Sequence, residues 1–149
     1  STYLIFSLFK YDPSLKKQMA NAKKIYLIDN AIANKIGFNA TDNFGSQLEN
    51  LVFIELKRRG AEIFYHSNLH ECDFIIRQGI KITEAYQVTM SISNPETRQR
   101  EIKGLLEALE TYNLSRGYIL TLEEAETITI NDKTIQVLPV WKWLLDFII

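Results

Sequence analysis

Residues 70–91, His70-Glu-Cys-Asp-Phe-Ile-Ile-Arg-Gln-Gly-Ile-Lys-Ile-Thr-Glu-Ala-Tyr-Gln-Val-Thr-Met-Ser91, decide the fold of this chain. On either side of the Gln78-Gly79 pair lies a run rich in β-branched and aromatic residues, and such runs joined by a turn pair predict a β-hairpin. An acid, Asp73, lies on the first strand of this hairpin. The polar residues Gln87 and Thr89 lie on the second strand.

The size and composition of the chain predict one globular domain. Its 149 residues are enough for a single core, and 46% hydrophobic with 23% charged residues is ordinary for a globular protein. The lone cysteine, Cys72, cannot form an internal disulfide and fits a reducing compartment. The longest apolar stretch, residues 3–9, is too short to cross a bilayer. We therefore expect a cytoplasmic protein with no membrane partner.

Positive charge is concentrated near the beginning of the chain, although the net charge is only −1. Residues 1–24 hold five lysines and one aspartate, which gives this segment a charge of +4. A basic segment of this kind can follow a phosphate backbone. It can equally be a solvated surface loop, which is the commoner outcome for a charged run.

The helix predicted over residues 44–59 carries an acid at an unusual position. Its apolar stripe indicates the face that is buried, and Glu49 shares helical spacing with that stripe. The carboxylate of Glu49 is therefore expected beside the core and not on the open face of the helix. The residues of the stripe are Leu48, Leu51, Val52 and Leu56.

The remaining elements predict an α/β domain. A second helix begins after Ser93, which forms a capping-box pattern with Glu96, and a final helix carries Trp141 and Trp143. From residue 44 onward the order is helix, three strands, helix, strand, which is typical of an α/β sandwich with a mixed sheet. The further strands are predicted over residues 3–10, 24–29, 62–66, 117–122, 127–130 and 134–140, and short helices over 14–19 and 30–36.

The relation between Asp73 and Gln87 depends on the hairpin turn. A two-residue Gln78-Gly79 loop places Asp73 opposite Glu84 and sends Gln87 to the other face, because side chains alternate along a strand. An odd loop or a β-bulge, which Gly79 can support, brings Asp73 and Gln87 together. The bulged or three-residue turn is the one that we expect.

A helix-borne Glu, a strand Asp and a pair of polar residues on the next strand resemble the core of the PD-(D/E)XK nucleases. The resemblance implies a restriction-endonuclease-like α/β sandwich, with a central mixed sheet flanked by helices. It also implies an Mg²⁺ or Mn²⁺ ion held by Glu49, Asp73, the Gln87 side chain and the Val88 carbonyl. On the same grounds Glu49, Asp73 and Gln87 are the catalytic candidates.

Two residues depart from the pattern of this superfamily, which usually has Glu-x-Lys where this chain has Gln87-x-Thr89. The glutamine keeps an oxygen ligand but loses a negative charge. The threonine removes the cation that would polarise the attacking water. Lys103 is the residue expected to replace this cation, with Arg100 as the other candidate, and without a replacement the metal site is degenerate.

Five segments resemble the C-terminal domain of one family of bacterial and archaeal AAA-type ATPases. That resemblance implies an ATPase module and a winged-helix segment ahead of this domain, so that the chain would be a C-terminal fragment. ATP would bind only in the missing module, since the chain has no phosphate-loop motif. The segments are residues 15–18, 24–29, 48–53, 71–74 and 139–141.

These observations predict a single nuclease-like domain over residues 1–149, with an extension (1–43), an αβββαβ core (44–122) and a C-terminal hairpin and helix (123–149). The predicted function is binding of DNA or RNA in the service of the ATPase, with a degenerate and inactive phosphodiesterase site. The alternative is a non-catalytic interaction or regulatory module of the ATPase, and the apolar C-terminal end suggests a homo-oligomer. The predicted nucleic-acid contacts are Lys16, Lys17, Lys23, Lys24, Arg98 and Arg100.

Two other sites are disfavoured by the sequence. The spacing of His66, His70 and Cys72 matches no structural zinc pattern. Cys72 has no base placed beside it, and we expect a buried, inert thiol.

Overall fold

The computed structural model describes residues 5–27 and 43–146. The helix predicted over residues 30–36 lies outside the described residues. The helices are α1 (Leu15–Ala20), α2 (Asn43–Arg58), α3 (Pro95–Thr111) and α4 (Val140–Leu145). The strands are β1 (Ile5–Phe9), β2 (Lys23–Leu27), β3 (Glu62–Ser67), β4 (Glu71–Gln78), β5 (Lys81–Val88), β6 (Arg116–Thr121), β7 (Glu126–Ile130) and β8 (Lys133–Pro139).

Six strands form a mixed sheet in the order β3-β4-β5-β6-β8-β7. The strands β3, β4 and β5 are antiparallel neighbours, β6 is parallel to both β5 and β8, and β7 is antiparallel to β8. Two apolar clusters form the core, one built around Phe53 of α2 and the other around Leu105 of α3. Helices thus flank the sheet, which confirms the predicted α/β class with a central mixed sheet.

The strands β1 and β2 form a separate antiparallel ribbon that is attached to the edge of the sheet. Lys10 forms a parallel bridge with Tyr65 of β3, and the Tyr11 N–H donates to the Tyr65 carbonyl at 2.9 Å. On β2, the Tyr26 ring stacks on Phe53 of α2, with ring centroids 4.3 Å apart. These contacts bring β2 against α2 and β4, where the candidate site lies.

The β4–β5 hairpin contains the predicted bulge, at a position different from the one expected. Gln78 pairs with Lys81, so the turn residues are Gly79, with a φ of 62°, and Ile80. The register then shifts on β5 between its pairings with Arg77 and Ile76, which leaves Thr83 as the extra residue. Continued along the strands, the shifted register places Asp73 beside Gln87. The bulge is therefore confirmed, but it lies beyond the turn.

The cap of α3 differs from the sequence prediction. Asn94, and not Ser93, is the N-cap, and its side chain accepts hydrogen bonds from the N–H groups of Glu96 and Thr97 at 2.9 and 3.2 Å. The predicted capping box is therefore wrong. Ser93 instead contacts the Ser91 hydroxyl, and Pro95 directly after Asn94 fixes the first turn of the helix.

Among the described residues no helix is both long enough and apolar enough to cross a membrane.

Candidate functional site

Two of the predicted site carboxylates, Glu49 and Asp73, converge from different elements on one ammonium group. The Lys24 Nζ atom lies 3.7 Å from Asp73 Oδ1 on β4 and 4.0 Å from Glu49 Oε1 on α2. The same ammonium forms an ion pair with Glu71, which begins β4. Lys24 is one of the predicted contacts to nucleic acid, but in the structure its charge is paired with three carboxylates.

Asp73 is the least exposed carboxylate of this group, with 16% of its side chain accessible to solvent. Its Oδ2 atom accepts a hydrogen bond from the Val88 N–H at 2.8 Å, and its Oδ1 atom faces Lys24. Burial and the charge of Glu49 raise the pKa of Asp73 to about 8, against the opposing effects of Lys24 and the Val88 N–H. The site therefore holds more negative charge than one lysine neutralises.

The ammonium of Lys24 is held from several sides. Lys24 lies opposite the buried Leu8 in the β1–β2 ribbon, and its Nζ atom is 5.1 Å from the centre of the Tyr65 ring. Burial by itself would lower the pKa of Lys24, but Asp73, Glu71 and Glu49 together raise it above its ordinary value. Lys24 is therefore charged at neutral pH.

Tyr26 lies two positions after Lys24 and completes the surroundings of Glu49. Its hydroxyl donates a hydrogen bond to Glu49 Oε1, the same oxygen that faces the ammonium. Burial, followed by the charge of Glu49, raises the pKa of Tyr26. The hydroxyl therefore remains protonated and acts as a donor.

Gln87, a predicted metal ligand, uses both ends of its amide to hold the backbone. The side chain is 3% exposed, and its Oε1 atom accepts the Asp73 N–H at 2.8 Å. Its Nε2 atom donates to the carbonyls of Glu71 at 2.8 Å and Glu101 at 3.3 Å. A buried amide with these partners connects β4, β5 and α3.

A close approach of α3 to the sheet makes this network feasible. A Cβ atom on Gly104 would lie 2.0 Å from the Glu71 carbonyl oxygen and 2.4 Å from Gln87 Nε2. Only a residue without a side chain fits at this position of the helix. Gly104 is thus a structural requirement of the site, and its position in the middle of a helix is the sequence signal for it.

Glu101 also lies in this region, although it is not among the predicted site residues. The residue is 7% exposed, and its Oε1 atom accepts hydrogen bonds from Arg100 at 2.9 and 3.1 Å. Burial raises the pKa of Glu101 even though Arg100 opposes the shift. The available signal was an acid four residues before Leu105, on the apolar stripe of α3.

The cation that was expected to replace the missing lysine lies elsewhere. Lys103 is exposed on α3, where it lines a surface hollow with Pro95 and Gln99, and it forms no ion pair with any residue in the described ranges. The other candidate, Arg100, is paired with Glu101. On a helix, Lys103 is two positions from Glu101 and so points in a different direction.

The residues, in this arrangement, do not fit a divalent metal. Within residues 5–27 and 43–146, no three His, Cys, Asp or Glu side chains are grouped so as to hold a metal ion. The ammonium of Lys24 lies between the acids, and the Gln87 oxygen is engaged by a backbone N–H. Mg²⁺ and Mn²⁺ prefer several oxygen ligands, and this arrangement does not offer them.

The disfavoured zinc residues have other partners. His66 is buried, with Nδ1 2.8 Å from the Tyr112 hydroxyl and Nε2 2.8 Å from Glu107 Oε1. The Cys72 thiol is fully buried, and burial raises its pKa. Both side chains are therefore parts of the packed interior.

Three predicted basic contacts, Lys16 and Lys17 on α1 and Lys23 on β2, are grouped here as the lysine surface. All three side chains are exposed, and none forms an ion pair with a described residue. Of the other predicted contacts, Arg98 is paired with Glu126, and Lys24 and Arg100 are paired as described above. Half of the predicted basic residues thus have their charge committed to the protein.

Comparison with known proteins gives relatives without an assigned activity. No family model matches the chain. Over 97% of its length the chain is 35% identical to an uncharacterized protein of Methanocaldococcus jannaschii and 29% identical to one of Haemophilus influenzae. The chain spans 34% of each of these proteins, about a third of their length.

Proposed function

We propose that this chain is a nuclease-like domain that binds nucleic acid without cleaving it and serves an ATPase in a longer protein. One observation carries the proposal. The carboxylate site is closed by its own residues, Lys24 and Gln87, while the side chains of the lysine surface are exposed and form no ion pair with a described residue. Binding through phosphates needs such a surface, and cleavage needs an open site.

The chemistry of the site supports the proposed absence of cleavage. Hydrolysis of a phosphodiester by this architecture requires a divalent cation that activates water and balances the developing charge. The arrangement around Lys24 does not fit such an ion, and Thr89 supplies no cation on the strand. The Asp73 carboxylate, with a pKa of about 8, is in addition partly protonated at neutral pH.

The role beside an ATPase rests on the resemblance given above and on the length of the relatives, which leaves room for further modules. A cytoplasmic location belongs to the same proposal, because the one cysteine is a reduced and buried thiol. Neither relative has an assigned activity, so the ATPase and its substrate are part of what we propose.

Nucleic-acid binding is tested by fluorescence anisotropy with labelled duplex and single-stranded DNA and RNA over a series of salt concentrations. We expect affinity to fall as salt rises, because counterions are released from the phosphates, with a slope of about −0.9 per contact on duplex DNA. Replacing Lys16, Lys17 and Lys23 by alanine should flatten this slope by about 2.7.

A matched control removes the same charge elsewhere, through alanine at Lys81, Lys133 and Lys142. This variant should keep the wild-type slope. If both triple variants flatten the salt slope equally, binding depends on net charge alone, and the proposal of a defined binding surface is contradicted. Metal-dependent cleavage by the wild type that is lost in Asp73→Asn would contradict the inactive site.

No binding at low salt would favour the alternative, an interaction module. Apolar side chains exposed on the ribbon and α1 support that reading, and in that case their partner would be the remainder of the longer protein. Of the two tryptophans of α4, Trp141 is 58% exposed and available for docking, whereas Trp143 is buried. The exposed apolar residues are Ile5, Leu15, Met19 and Ile25.

A further inference from the structure

The candidate site has the carboxylates of a metal site, but these carboxylates surround a lysine ammonium. Glu49 comes from α2, and Glu71 and Asp73 come from β4, so the three carboxylates are brought together only by tertiary structure. The group that they surround is the ammonium of Lys24. Carboxylates gathered around one point repel one another unless a cation lies between them.

We propose that the Lys24 ammonium is an internal counter-cation that takes the place of a divalent metal. It is the counter-charge that Glu49, Glu71 and Asp73 share, and it keeps this protein unresponsive to Mg²⁺ and Mn²⁺. This role of Lys24 does not depend on the proposed nucleic-acid binding, which we assign to Lys16, Lys17 and Lys23.

The position of Lys24 suits this role better than that of any neighbouring cation. Lys23, the preceding residue, is exposed and lies over the Phe9 ring with its Nζ atom 5.1 Å from the ring centre. Lys24 alternates to the other face of β2, because side chains point to opposite sides along a strand. One strand therefore sends one lysine to solvent and the next into the acidic group.

The geometry also explains how the acidic group is stable without a metal ion. Each of the three acids has an oxygen close to Lys24, and two of them have a second donor, the Tyr26 hydroxyl for Glu49 and the Val88 N–H for Asp73. Buried charges are tolerated when they are both paired and hydrogen-bonded. A metal ion would have to displace the Lys24 ammonium, which is part of the chain and so does not depend on the concentration of a free ligand.

The first test measures the melting temperature of the wild type in EDTA and in millimolar MnCl₂ or MgCl₂. A ligand that binds the folded state raises the melting temperature, so we expect a change of less than about 1 °C. A rise of several degrees that disappears in Asp73→Asn would overturn the proposal.

The second test compares Lys24→Met with the matched control Lys23→Met. We expect Lys24→Met to lower the melting temperature by about 5 to 10 °C, because it leaves the partly buried carboxylates of Glu49 and Asp73 without their cation. We expect Lys23→Met to change it by less than about 2 °C. Equal effects of the two substitutions would overturn the proposal.

A double variant separates charge from packing. In the Lys24→Met background, Glu49→Gln should restore part of the lost melting temperature, since it removes one of the acids that have lost their cation. If Lys24→Met alone does not fold, folding of the double variant is the supporting result. A double variant that is no more stable than Lys24→Met would show that the lysine acts through packing, and the proposal would fail.

Discussion

Replacing Gln87 by glutamate tests whether this residue is a structural amide or a ligand. Gln87→Glu restores the acid that the nuclease pattern has at this position and adds a negative charge to the acidic group. If Gln87 were a ligand, the change would strengthen a metal site. The structure leads us to expect loss of stability, because the buried Nε2 atom donates to the backbone carbonyls of Glu71 and Glu101.

The size of the loss depends on pH. In the Gln87→Glu variant, the ionised carboxylate would lose both donor bonds, at about 1 kcal/mol each. An upward shift of its pKa by about two units would add roughly 2.7 kcal/mol. The total is then about 4 to 5 kcal/mol at pH 8. A protonated carboxyl keeps one donor, so at pH 5 the loss falls to about 1 to 2 kcal/mol.

The sign of this dependence follows from linkage. Burial raises the pKa of the new carboxyl in the folded state, so the folded variant binds a proton more tightly than the unfolded chain. The variant therefore becomes less stable, relative to wild type, as pH rises from about 4 toward its folded pKa.

The assay is urea unfolding at pH 5 and pH 8, followed by the fluorescence of the buried Trp143. Gln87→Met provides the neutral comparison, since it removes the amide without adding charge, and Gln99→Glu adds the same charge at an exposed position of α3. A Gln87→Glu variant that equals wild type at pH 8, or that is stabilised by Mn²⁺ there, would refute the structural role of the amide.

Three further predictions concern the architecture around the site. Gly104→Ala should destabilise the protein by more than about 2 kcal/mol in urea unfolding, because its Cβ would overlap the backbone of β4. Gly45→Ala on α2, where the added Cβ would have no atom within 4 Å, should instead be neutral or stabilise the protein by up to about 1 kcal/mol. If both substitutions change the free energy of unfolding in the same direction, the close packing of α3 is contradicted. Because burial and nearby acids raise the pKa of Asp73 from 3.8 to about 8, the stability associated with its proton is fully present below about pH 4. That stability is lost as pH rises toward 8, so Asp73→Asn should flatten the decline of unfolding free energy from pH 5 to pH 8, and an unchanged slope would argue against the shift. Finally, Asn94→Ala should cost about 1 kcal/mol and Ser93→Ala less than about 0.5 kcal/mol by thermal unfolding, and the reverse order would identify Ser93 as the cap.

The local features of the fold were accessible from the sequence. The hairpin, the helices α2 and α3 and the alternation of elements follow from side-chain periodicity and turn residues, which are properties of neighbouring positions. The placement of Glu49 beside the core followed from helical spacing alone. The choice between Ser93 and Asn94 was local as well, but two adjacent capping residues compete for the same N–H groups, and spacing does not rank them.

The partners of the site residues were decided by tertiary structure. Periodicity indicates that Lys24 and Lys23 face opposite sides of a strand, but only the docking of the ribbon on β3 and α2 determines which side meets the acids. The orientation of the Gln87 amide likewise depends on carbonyls from β4 and α3, which lie far apart in the chain. The sequence by itself determined the elements and the acids that they carry. Because electrostatic partners are set by distances between separate elements, only the folded chain decided that a lysine lies at their centre.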